Sequence, residues 1–205
     1  MGSRDARRPG RGSAKRWGRR ACARSAPRYY RERGFDQTTA AEIAARAGVN
    51  ERTFFRHFPD KREVLFDGEA DLRTTLMQAV ADAPQGLSPF EVLLCAFRKS
   101  ARNLERNRPF SDPRWKVIGA NPALRGRELA KHAWLTEAVA EALRHRGINA
   151  GPADLAARTG WAAYQYAVHA WIDDPTDGLD AHLCRAFHDL RTLSADAPIQ
   201  AGSQH

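Results

Sequence analysis

The stretch from Thr39 to Phe58 leaves the chain few choices of fold. Thr39-Ala40-Ala41-Glu42 has the form of a capping box, in which the threonine oxygen accepts from the amide of residue 42 and the glutamate reaches back to residue 39. Ala40, Ile43, Ala44 and Ala47 then recur at i, i+3, i+4 and i+7, on one helical face. Gly48 stands where a helix stops in a left-handed conformation. Asn50 is a good N-cap for a second helix through Thr53-Phe54-Phe55-Arg56-His57-Phe58, which Pro59 and Asp60 end. Two short helices joined by a glycine turn, with small residues where they cross, are the parts of a helix-turn-helix. Ala44 and Ala47 permit close approach, and Ile43, Val49, Phe54 and Phe58 fill the junction. Glu51, Arg52, Thr53, Phe55, Arg56 and His57 are left facing outward. The second helix of such a motif is narrow enough for the major groove of DNA, while the first braces it from behind.

The charge is distributed to suit that partner. The chain carries a net +9, but its first 33 residues hold twelve Arg/Lys against two acids, and the remainder nets −1. A basic end on a neutral body suits a polyanion. For residues 1–15 alone, a solvated tail explains the same composition, and this Gly/Arg/Ser-rich arm is expected to be disordered. From about residue 16 the apolar period is helical and no period-2 strand appears, so the fold class is all-α. No apolar run approaches the roughly 20 residues that span a bilayer, so no membrane partner is expected. Cys22, Cys95 and Cys184 are odd in number and far apart in sequence. They suggest neither a disulfide framework nor a zinc site, and a reducing cytoplasm fits them.

Upstream of the motif, Pro27 would clash with the carbonyl of Ala23 at a cost of about 3 kcal/mol inside a helix. Regular helix is therefore expected to start near Ser25–Pro27 or to kink there, with Cys22, Ala26, Tyr29 and Tyr30 as a thin apolar stripe. Downstream, helices are predicted over 61–82, Ser88 to about Arg106, Asn121-Pro122 to about Arg146, Pro152 to Asp173, and Gly178 to about Ala195. A break is predicted over Asn107 to Pro113, before a short segment with Trp115, Val117 and Ile118.

Gly34-Phe35-Asp36-Gln37-Thr38-Thr39, Glu42-Ile43-Ala44, Ala47-Gly48-Val49, Thr53-Phe54-Phe55-Arg56-His57-Phe58 and Lys61 together resemble the DNA-binding signature of the TetR family, over residues 31–66. The resemblance implies a three-helix helix-turn-helix domain over 16–62 and a helical ligand-sensing and dimerisation domain over 63–205. It also implies a DNA-facing set of Thr39, Asn50, Glu51, Arg52, Thr53, Phe55, Arg56, His57 and Lys61. Thr39 would cap the first motif helix near a phosphate. Glu51 and Arg52 would meet base edges, an arginine being able to bond guanine bidentately. Thr53 would touch phosphate or a thymine methyl, and His57 and Lys61 would contact phosphate. Phe55 stands where the family usually has tyrosine, so that hydroxyl's phosphate bond is missing. Arg56 reads equally as a solvated surface arginine, and Glu51 as a partner of its own helix dipole.

In this family the last two helices pair with their twofold mates. Trp161, Tyr164, Val168, Trp171, Leu183, Phe187 and Leu190 are accordingly expected at a homodimer interface or in the core. An effector pocket is expected among the middle helices, with Leu76, Val80, Leu94, Phe97, Trp115, Ile118 and Trp134 lining it and His132 as a polar anchor. The Asn121–Ala130 stretch resembles a subgroup that includes mycofactocin-type regulators, which suggests a lipophilic effector. The implied function is a ligand-responsive repressor of double-stranded operator DNA, with no catalytic residue, metal or cofactor. Two other readings differ in class. An enzyme would need more than His169 with Asp173 or His188 beside Asp189, since the chain has no glycine-rich phosphate loop and no nucleophile elbow. An architectural binder using only the basic arm would show salt dependence without sequence preference.

Overall fold

The computed structural model describes residues 11–195, with side chains from Trp17 onward. The described residues form nine α-helices: α1 (Arg11–Arg33), α2 (Ala40–Arg46), α3 (Glu51–Phe55), α4 (Glu69–Ala81), α5 (Pro89–Arg106), α6 (Arg108–Ala120), α7 (Pro122–His145), α8 (Ala150–Asp173) and α9 (Gly178–Ala195). A 3₁₀ turn, Glu63–Phe66, lies between α3 and α4. Contacts divide the chain into two compact units: residues up to Gly68 with Pro109–Glu128, and Glu69–Arg108 with residues from Leu129 onward. The first unit thus runs past residue 62 and takes in α6 and the opening turns of α7.

The first unit is built around α1 to α3. Cys22, Ala26 and Tyr30, one turn apart on α1, are buried with Ile43, Ala44, Phe54 and Phe58 in one apolar cluster. Of the two alternatives, a start near Ser25–Pro27 or a kink there, the start is not found: α1 is continuous from Arg11 to Arg33 across Pro27. Its stripe of small and aromatic side chains packs on both motif helices, and such burial outweighs the single backbone bond that proline removes. Residues 11–15, expected within a disordered arm, are helical, while residues 1–10 of that arm lie outside the described residues. The 3₁₀ turn is tied in by Arg127, whose guanidinium donates to both carboxylate oxygens of Glu63 at 3.0 Å and stacks on Phe66. Beside it, the largely buried Arg114–Glu128 pair closes at 2.6 Å.

The second unit buries Leu76, Val80, Leu93, Phe97, Leu135, Trp161, Leu183 and Phe187. The helix predicted over 61–82 is interrupted at Gly68, whose φ of +88° an L side chain rarely adopts, and it resumes as α4. The predicted break over 107–113 is also absent. Asn107 alone separates α5 from α6, and Pro113 lies within α6. One long-range contact closes α4. The Arg146 guanidinium donates to the carbonyls of Val80, Ala81, Ala83 and Pro84 at 2.8–3.1 Å, satisfying carbonyls that the helix end leaves open.

Candidate nucleic-acid interface

Each motif helix is fixed at its start by its own side chain. The Thr39 hydroxyl accepts from the Glu42 amide at 3.2 Å, and the Thr39 amide donates to Glu42 Oε2 at 2.8 Å, completing the box. These bonds hold the Glu42 carboxyl below its ordinary range, the backbone amide of Thr39 being the main cause. Because the folded value is depressed, this contribution is present above the unfolded carboxyl value and is lost as pH falls through the folded one. Asn50 Oδ1 accepts from the Thr53 amide at 2.8 Å and starts α3. Between the two helices Gly48 has φ +70°, so the turn takes the left-handed geometry expected of it.

Regular helix in α3 ends at Phe55 rather than reaching Phe58. The i→i−4 bonds nevertheless continue, from Arg56 to the Arg52 carbonyl at 3.1 Å and from Phe58 to that of Phe54 at 3.0 Å. Phe54 and Phe58 point inward with ring centroids 5.2 Å apart. That leaves Glu51, Arg52 and Arg56 exposed, Thr53 and His57 half-buried, and the Phe55 ring 49% exposed. Asn50 is exposed beside them. The Thr39 hydroxyl is already engaged, since it donates to Glu42 Oε2 at 3.0 Å. The donors left open at the start of α2 are its first-turn amides, as helix geometry requires. α1 crosses close behind the turn: a Cβ at Gly18 would sit 3.5 Å from Val49 Cγ1 and 3.7 Å from Thr53 Cγ2.

The ammonium of Lys61, expected at a phosphate, is turned onto the chain's own backbone. It donates to the carbonyls of Phe35, Asp36 and Thr38 at 2.9, 3.1 and 2.9 Å, and lies 4.6 Å from the Phe35 ring centroid. All three donors are used inside the protein, locking the loop that leads into α2. The buried Tyr30 hydroxyl donates to the Lys61 carbonyl, so the same residue is held from both ends. Lys61→Met is expected to cost about 1–3 kcal/mol of stability by leaving those carbonyls without their partner. It should leave the salt dependence of DNA binding unchanged. A drop of about one in the salt slope with unchanged stability would return Lys61 to the phosphate set.

In the second unit the sequence expectations are redistributed. Trp161, Tyr164, Val168, Trp171, Leu183 and Phe187 are all buried within the single chain, so they build its core. Leu190 alone of that set is partly exposed. Instead Leu155 and Tyr166 of α8 are about two-thirds exposed, and Leu193 of α9 more so. Of the residues expected around a pocket, Leu76, Val80 and Phe97 are closed into the second unit's core, and Leu94 is partly buried. Trp134 is exposed under Arg73, 5.4 Å from its ring centroid. Trp115 and Ile118 belong to the first unit, Ile118 in its core. His132 does line a cavity, formed by α7 and α8. His169 Nδ1 pairs with the Gln165 carbonyl of its own helix at 2.8 Å.

The motif geometry has a direct counterpart among known proteins. Residues 24–67, which hold the second half of α1, both motif helices and the 3₁₀ turn, match the model for bacterial regulatory proteins of the tetR family. The chain carries a TetR-type DNA-binding domain. TetR-family proteins are DNA-binding transcriptional regulators rather than enzymes, with a helix-turn-helix at the N-terminal end and a helical C-terminal domain. The chain is similar to the HTH-type transcriptional regulator TcmR of Streptomyces glaucescens, 33% identical over 75 residues. That match spans 37% of this chain and only a third of TcmR. Over most of its length the chain resembles the FadR repressor of Thermus thermophilus, at 27% identity and a TM-score of 0.55, covering 91% of this chain and 99% of FadR. SmeT of Stenotrophomonas maltophilia shares the fold at 21% identity and a TM-score of 0.59, over 85% of this chain and 89% of SmeT.

Proposed function

We propose that this chain is a homodimeric, ligand-responsive repressor of the TetR family that reads a pseudo-palindromic operator through the start of α3. The observation that carries the reading is the division of α3 into two faces. Phe54 is sealed in the core while Glu51 and Arg52, adjacent in sequence, stand exposed at an N-terminus capped by Asn50. The first helical turn of such an element is the part that reaches base edges. Arg56 and the half-buried His57 then flank it as phosphate contacts. A second copy is favoured as the partner of α8 and α9, because Leu155, Ala162 and Tyr166 share one exposed face of α8 at seven- and four-residue spacing, with Leu193 exposed on α9. No described helix is long and apolar enough to cross a membrane, and the proposed action on DNA implies a cytoplasmic protein.

The effector is a small lipophilic molecule. FadR, solved with lauroyl-CoA, supports that class, as does the resemblance of Asn121–Ala130 to mycofactocin-type regulators. It would act by population shift, releasing DNA to the extent that it prefers the conformer with the wrong spacing of recognition helices. Footprinting on the DNA upstream of the gene tests the reading. It should show two protected half-sites centred about 34–36 Å apart, one helical turn. Uniform weak protection with no preferred site would instead favour a binder that uses only its basic arm.

A further inference from the structure

We infer that Trp17 of α1 belongs to the DNA-binding surface, where its indole packs on the sugar–phosphate strand bordering the groove that α3 enters. The inference extends the operator reading of α3 and rests on it for where the duplex lies.

Trp17 is 61% exposed, an unusual setting for a tryptophan. Of the first unit's other exposed large apolar side chains, Phe55 belongs to α3 and Phe110 lies under the Arg24 guanidinium at 5.1 Å. The Trp17 ring has a definite place. Its neighbour Gly18 is buried against Val49 and Thr53, and a Cβ at Gly48 would lie 3.9 Å from Trp17 Cη2. The tip of the indole therefore reaches over the turn that joins α2 to α3. That turn runs directly into Asn50, Glu51 and Arg52, the exposed start of α3. When the first turn of α3 lies in the major groove, whatever covers the turn before it borders the groove wall, which is sugar and phosphate.

Charge selects the occupant of this apolar spot. In sequence Trp17 stands among Lys15, Arg16, Arg19 and Arg20. Arg19 is engaged by Asp67, but Arg20, about one turn along α1 from Trp17, is exposed and forms no ion pair among the described residues. An aromatic face with a cationic rim suits a polyanion. The indole offers such a strand a flat apolar face for deoxyribose and one N–H donor for a phosphate oxygen. Neither contact reads a base, so Trp17 adds affinity without adding discrimination.

Two measurements on the full chain test this. The first is acrylamide quenching, taken as the difference between the parent and Trp17→Phe because the other tryptophans also emit. The Trp17 component should be freely quenched without DNA and should lose most of its quenching under saturating operator duplex. The second is duplex binding. Trp17→Ala should weaken operator and scrambled duplex alike by about tenfold, the loss expected when roughly 50–60 Å² of apolar surface is no longer covered. Its urea midpoint should stay at the parent value, and Trp17→Phe should recover most of the affinity. Equal quenching of the Trp17 component with and without duplex, or parent-like binding by Trp17→Ala, overturns the inference. Protection that appears without DNA as protein concentration rises would assign the ring to a contact between copies instead. The two readings fail separately. A parent chain that binds both duplexes equally sinks the operator reading, whereas an unprotected Trp17 in a chain that prefers its operator sinks this one alone.

Discussion

Phe54→Ala is expected to cost about 3–5 kcal/mol, the range for removing a fully buried aromatic ring. Phe54 has no exposed surface and packs edge-on to Phe55 at 5.5 Å and tilted to Phe58 at 5.2 Å. Few other residues could anchor α3, which is only five residues long and is far too short to stand alone. Against a total stability of about 5–15 kcal/mol, the loss should be visible in a urea melt as a large fall in midpoint, together with loss of DNA binding. Phe54→Leu, which keeps most of the apolar volume, should recover much of both. A fall below about 1 kcal/mol for the alanine variant, small against the cavity range, would mean that α3 is held by something other than this ring.

The second large effect falls on recognition and leaves the fold alone. Arg52 is exposed in the first turn of α3, and its removal should leave the melt within about 0.5 kcal/mol of the parent. Operator affinity should drop by about 1–3 kcal/mol, and discrimination should relax at one base position in each half-site. Arg56→Ala should behave differently, weakening operator and non-specific duplex together and lowering the salt slope by about one, as loss of a phosphate contact does. Binding measured on a set of singly substituted operators separates the two. If Arg52→Ala weakened every substituted operator equally, Arg52 would be a phosphate contact and base readout would fall to Glu51.

The parts of this fold that could be read from the sequence are those whose causes are local. The Thr39–Glu42 box, the Gly48 turn and the Asn50 cap each depend on residues within four positions, and each is present as expected. The inward faces of Phe54 and Phe58 follow from the same short period. Lys61 was not legible, because its acceptors lie 23–26 residues away and a lysine in a DNA-binding motif reads first as a phosphate contact. Arg146 is similar, with carbonyl partners 62–66 residues distant. At Pro27 only the local cost is legible in the sequence. The packing of Cys22, Ala26 and Tyr30, which offsets that cost, is a tertiary effect.

On α8 and α9 the difficulty was of another kind. Apolar residues occur on both the inner and the outer face of α8, so periodicity marks them as apolar without saying which side turns inward. Large aromatics drew attention to Trp161, Tyr164 and Trp171, which fill the chain's own core. The exposed positions, Leu155, Tyr166 and Leu193, carry less conspicuous side chains spaced along the opposite side. The cavity between α7 and α8 was hidden for the same reason, since its lining alternates with core residues on both helices.

The most direct test of sequence-specific reading by α3 is a competition measurement at one fixed salt concentration. Labelled operator bound by the full chain is displaced either by unlabelled operator or by a scrambled duplex of equal length and composition. The scrambled duplex should be at least about 10³-fold less effective, the lower end for specific regulators. Equal displacement by the two duplexes would contradict the account, because the exposed Glu51–Arg52 edge would then be reading nothing.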